Sequence, residues 1–84
     1  MDEQLDDALI LKIRELSKQV SGVVDTEKCL IRKTGMKYHV DLHIIVDAEI
    51  SVREGHVIAH ALKTHLQKEL IQLADVLIHV EPNE

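Results

Sequence analysis

Apolar and polar residues alternate most regularly between Tyr38 and Asp47. Val40, Leu42, Ile44 and Val46 fall on one side of an extended chain, and His39, Asp41, His43 and Asp47 on the other. Ile45 is the one apolar member of the second side. The run is rich in β-branched residues and predicts a strand. Its first face is a core, and its second carries two imidazoles and two carboxylates. A one-residue slip would bury His39, Asp41 and His43, so the apolar pattern fixes the register.

The remaining pattern supplies supports for this strand. From Gln4 to Val20, Leu5, Leu9, Ile13, Leu16 and Val20 recur at helical spacing. Asp2, Glu3, Asp6 and Asp7 suit a helix N-terminus after a frayed start at residues 1–3, and Lys18 and Gly22 suit its end. Residues 23–28 read as a polar-ended connection. Cys29–Lys33 reads as a short strand facing inward at Cys29 and Ile31, and Thr34–Lys37 as a turn. Residues 28–47 thus form a hairpin, with Leu30 and Ile45 on the ligand-bearing face. Ser51 and Glu54 fit a capping box opening a helix that runs to Leu70. Val57, Ile58, Ala61, Leu62 and Leu66 share its apolar face; His56, His60, Lys63 and Gln67 share the opposite one. Ile71–Ala74 leads into a last strand, Asp75–Glu81, with Val76, Ile78 and Val80 inward, Leu77, His79 and Glu81 outward, and Pro82 as its stop.

The expected order is α-β-β-α-β: two helices on one face of a three-stranded, mainly antiparallel sheet, a two-layer α+β domain of ferredoxin-like topology covering residues 1–84. The second helix makes a β-α-β crossover. A domain of this size is marginal alone, so a partner chain or a bound metal would help it.

Composition removes several functions. A formal net charge of −5 and a single aromatic residue, Tyr38, oppose nucleic-acid binding and suit attraction of cations. Cys29 alone makes neither an internal disulfide nor a thiolate zinc cage, and reads as a small core residue. No apolar run approaches the roughly 20 residues of a membrane span. The expectation is a soluble domain from a reducing compartment. Ser17, Ser21 and Ser51 lack a nucleophile–base setting, and the three glycines form no phosphate loop, so enzyme activity is not expected.

The outer face holds the candidate chemistry. His39, Asp41 and His43 on one strand and His79 and Glu81 on another are nitrogen and oxygen ligands for a borderline divalent ion such as Zn2+. Same-face residues on one strand lie about 6.5–7 Å apart, so a single ion would take one ligand from each strand and a third from elsewhere. His56 and His60, four apart on a helix, have the other common ligand spacing, though a solvated helix face is the plainer reading. His65 reads as a satisfied edge histidine, and Asp25 and Glu27 as solvated loop carboxylates.

Several runs together resemble one family: Val20–Val23, the Arg32–Gly35 turn, Val40-Asp41-Leu42-His43-Ile44-Ile45-Val46-Asp47, the Ser51 to His56 helix start, and the ending Ile78-His79-Val80-Glu81-Pro82. The chain resembles, from Leu5 to Pro82, the C-terminal cytosolic domain of cation diffusion facilitator transporters. The resemblance implies a metallochaperone-like fold, a V-shaped homodimer, and divalent metal at its interface regulating metal/proton exchange. It implies a piece of a longer transporter, joined to that transporter's transmembrane part on the cytoplasmic side of the cell (inner) membrane. By motif position His43, His79 and Glu81 match sheet ligands. His56 matches a histidine offered by the neighbouring subunit, and Asp41 and His39 match positions used in iron- and zinc-responsive members. The implied ion is Zn2+ or a similar one, Fe2+, Cd2+ or Mn2+. The segment Val24–Lys28 departs from the family by lacking the histidine some members place there. The rival expectation is a soluble ferredoxin-like module sensing a small molecule; the histidine-rich outer face favours metal.

Overall fold

The computed structural model describes the backbone of residues 3–84 and side chains from Asp7 onward. The expected frayed start at Met1 and Asp2, and the side chains of Glu3, Leu5 and Asp6, lie outside the described residues. The elements are α1 (Glu3–Ser17), β1 (Asp25–Thr34), β2 (Lys37–Val46), α2 (Val52–Glu69) and β3 (Leu73–Pro82). The order α-β-β-α-β is the one expected, and the sheet order is β1-β2-β3, with β2 in the centre. The sheet is evenly mixed rather than mainly antiparallel: β1 and β2 are antiparallel, β2 and β3 parallel. The parallel pair is what the α2 crossover requires, since a strand reached through a helix returns in the same direction.

The alternation on β2 is realised residue by residue. Val40, Leu42, Ile44 and Val46 are buried, and His39, Asp41, His43 and Ile45 are half-buried on the other face. Ile13 and Leu16 from α1, Leu62, Leu66 and Leu70 from α2 and its end, Cys29 from β1, and Leu73 and Val76 from β3 complete the core. At about 1.5–3 kcal/mol per fully buried aliphatic side chain, the four β2 residues stabilise the fold by roughly 6–12 kcal/mol, an upper bound. Both helices pack on this side, and among the described residues no element covers the other face of the sheet.

Local chemistry explains the boundaries. Ser51 Oγ accepts from Glu54 N at 3.0 Å and Glu54 Oε1 accepts from Ser51 N at 2.9 Å, the expected capping box. Gly35 has φ +62°, and Met36 beside it stays at negative φ. That is the signature of a two-residue II′ hairpin turn, whose twist matches the strands. α1 stops at Ser17, three residues before the expected end. Ser17 Oγ donates back to Ile13 O at 2.7 Å, and the chain leaves through the tighter bonds Gln19 N–H to Leu16 O and Val20 N–H to Ser17 O.

Four further expectations are corrected. Residues 25–28 belong to β1, not to a connection: the strand resumes pairing beyond a bulge between Thr26 and Cys29. Their polar composition hides this, because inward-facing Thr26 is satisfied by Arg14 Nη1 at 2.7 Å rather than by apolar neighbours. Leu73 lies in β3 and in the core, where a lead-in was expected. Pro82 closes β3 rather than following it, which an edge strand tolerates. On α2, Val57 and Ala61 are exposed, and the buried line runs through Gly55, Leu62 and Leu66 with Ile58 and Ala59 half-buried. The helix therefore meets the sheet on a narrower stripe than its apolar count suggests. Val80 points to the helix side as expected but stays 39% exposed.

Candidate metal centre

Parallel pairing of β2 with β3 sets the outer face in rows. His43 stands opposite His79, Ile45 opposite Glu81, Asp41 opposite Leu77, and His39 opposite Asp75. On the other side of β2, Leu30 stands opposite Asp41 and Arg32 opposite His39. The structure thus gathers His43, His79 and Glu81 at one end of the face. Their rings and carboxylate make direct contact: His43 Nδ1–H donates to Glu81 Oε2 at 2.6 Å, and the His43 and His79 rings stack with centroids 4.2 Å apart and planes 12° from parallel. The hydrogen bond from His43 holds the Glu81 carboxyl below the usual glutamate range.

Glu81 thereby fixes the His43 tautomer and ring orientation. A carboxylate on one ring nitrogen leaves the other, Nε2, as the free electron pair, the arrangement that commonly supports a metal-bound imidazole. The stack itself has a geometric consequence. A nitrogen–metal bond lies in the plane of its ring, so two parallel rings share one ion only when coplanar. Stacked rings do not share one until a ring turns. The donor set, two imidazoles and an ionised carboxylate, fits a Zn2+-like ion in chemistry.

The other expected ligands are not gathered with these three. Asp41 sits between Leu30 and Leu77, two leucines each 53% exposed. His39 lies further along, beside Asp75 and Arg32. His56 is on α2, across the sheet from His43 and His79, where it lines a cleft of about 440 Å3 with Asp47, Ile50, Val52, Ile78 and Val80. Among the described residues no group of three or more His, Cys, Asp or Glu side chains is placed to hold one ion.

His65 and Cys29 take the plain roles expected of them. His65 Nε2–H donates to Gln19 Oε1 at 2.9 Å. Cys29 is buried, and burial pushes its thiol pKa up. Glu27, expected in a loop, lies in the β1 bulge and lines a shallow cleft with Glu81, and Arg14 Nη2 donates to its backbone oxygen at 2.8 Å. The only sequence signal for this was the pair of carboxylates Asp25 and Glu27, which had no register until the bulge was known.

No helix among the described residues is long and apolar enough to cross a membrane. Residues 5–83 match the family model described as cation efflux protein, cytoplasmic domain. The chain is 34% identical over 80 residues to metal tolerance protein 2 of Oryza sativa subsp. japonica, and 24% identical over 82 residues to the manganese efflux system protein MneP of Bacillus subtilis strain 168. It covers 21% and 28% of those proteins, while 95% and 98% of this chain is matched, so it spans less than a third of their length. Among solved structures, the nickel form of a MamM C-terminal domain variant superposes with a TM-score of 0.89 at 23% identity, over 93% of this chain and 99% of that one. The cadmium form of another superposes equally well, 0.89 at 24% identity, over 93% and 96%. These likenesses confirm the ferredoxin-like α-β-β-α-β fold, and the match over nearly the whole chain establishes that it belongs to the cation efflux family, as its cytoplasmic domain.

Proposed function

We propose that this domain binds a divalent metal ion between two copies of itself, and that binding regulates export by the transmembrane part of a cation/proton antiporter. One observation carries the reading: His43, His79 and Glu81 come into contact on a sheet face that no layer covers among the described residues. Leu30 and Leu77 supply apolar contact area on the same face, and a second chain would bring the missing ligands. His56 is the ligand proposed to come from the partner copy, because its own sheet separates it from His43 and His79. Asp41 and His39 are proposed as further donors along the face. The nickel and cadmium forms of the MamM domains support a divalent transition ion. Zn2+ is the ion proposed, with Fe2+, Cd2+ and Mn2+ as candidates for the same donors.

In this reading the domain performs no chemistry of its own. His43 offers Nε2, Glu81 keeps it aimed, and His79 turns out of the stack to bring its nitrogen to the same ion. Family membership and the ligand cluster favour this over a stand-alone small-molecule sensor. Zn2+ is expected to raise the melting temperature, because a ligand bound only by the folded state stabilises it by mass action. Amino acids are expected to leave it unchanged. A shift with amino acids and none with Zn2+ would reverse the choice.

A further inference from the structure

The second histidine pair lies outside the sheet cluster. His56 and His60 are both exposed on α2, one helical turn apart. Their ring centroids are 4.6 Å apart and their planes cross at 63°. Two imidazoles bound to one ion at about 2.0–2.1 Å bring their centroids to about 5 Å. Crossed planes share a line on which one ion can lie in both rings' planes, which the near-parallel sheet pair lacks.

We propose that His56 and His60 form a second cation site, a two-imidazole chelate for a late first-row divalent ion such as Zn2+ or Cu2+. The spacing is that of paired zinc-binding histidines on a helix. The helix backbone holds both side chains on one exposed stripe, so little rearrangement is needed. Lys63, the cation on the next turn, is drawn away toward Asp75, 3.8 Å from its carboxylate. Water completes the coordination, and imidazole donors favour Cu2+ and Zn2+ over Mn2+ and Fe2+. The site needs nothing from a partner copy, but it competes for His56 with the role proposed for that residue in a partner's sheet cluster, so it is tested where the sheet cluster has been removed.

The test uses Cu2+ as probe in a chain carrying His43→Ala and His79→Ala, with folding checked by circular dichroism. Calorimetry is expected to find one ion per chain, and paramagnetic resonance to show coupling to two imidazole nitrogens. Adding His60→Ala should weaken binding at least about tenfold, since loss of even a supporting outer partner costs that much at metal sites. Thr64→Ala, on the next turn, should change nothing. Absence of binding in the doubly substituted chain, or binding that His60→Ala leaves unchanged, would overturn the site without bearing on the sheet cluster.

Discussion

His43 and His79 face each other on adjacent parallel strands, their rings stacked 4.2 Å apart, and Glu81 grips His43 from two residues beyond His79. The strand register creates this cluster. Its geometry fixes one ring through Glu81 and leaves the other to turn.

Glu81→Gln therefore tests how the cluster is held. The amide keeps the shape but loses the charge that orients the His43 tautomer. Zn2+ affinity by calorimetry should fall about 10–100-fold, the usual effect of losing a supporting partner. Affinity equal to the unaltered chain would mean that Glu81 neither ligates nor orients.

Asp25 gives a pH signature of the fold. Thr26 N–H donates to Asp25 Oδ1 at 2.8 Å, and Lys18 Nζ lies 3.5 Å from the same oxygen. The backbone hydrogen bond, then the lysine charge, lowers the Asp25 pKa. A folded-state pKa below the unfolded value means the ionised form stabilises the fold. That contribution is present above the ordinary Asp range, about pH 3.9, and is lost as pH falls through the lower folded value. Asp25→Asn should be less stable at pH 7, and the difference should vanish in strongly acidic urea melts. A gap that persists there would assign the effect to packing.

Gly22→Ala tests the contact between the end of α1 and α2. Gly22 has φ +97°, and an added Cβ would come within 2.5 Å of Ile58 Cδ1. Strained backbone and crowding act together, so destabilisation should exceed about 1 kcal/mol in urea unfolding. A neutral effect would show that Ile58 moves aside freely and that the backbone relaxes.

The sheet core and the site differ in how far they could be read from the sequence. Leu42 and Ile44 announce a buried face by strict alternation, and Ser51 with Glu54 announces a helix start. Arg14 and Thr26 announce nothing, because a buried hydroxyl bonded to a guanidinium leaves no apolar pattern; the first half of β1 was hidden with them. Val57 and Ala61 misled because helical spacing counts apolar residues without knowing how wide a stripe the sheet covers. At the site, His43, His79 and Glu81 were visible as outer-face residues. Their contact depended on β2–β3 register, and the place of Glu27 beside Glu81 depended on a bulge.

Leu42→Ala should cost about 2–5 kcal/mol in urea unfolding, as for other fully buried leucines. Leu42 is completely buried at the centre of β2. A loss below about 1 kcal/mol would mean that the core collapses around the gap, against the close packing expected of interiors.

The central claim is that metal joins two copies through the sheet histidines. The most direct measurement is the distance between spin labels on two copies, attached at Met36→Cys on the exposed hairpin tip. Cys29 stays unlabelled because it is buried and its thiol pKa is raised. Zn2+ should shorten and narrow the distance distribution, and His43→Ala with His79→Ala should abolish that change. His56→Ala should keep part of the metal affinity while removing the change in distance. A zinc response that survives loss of both sheet histidines, or no intermolecular distance with or without zinc, would contradict the account.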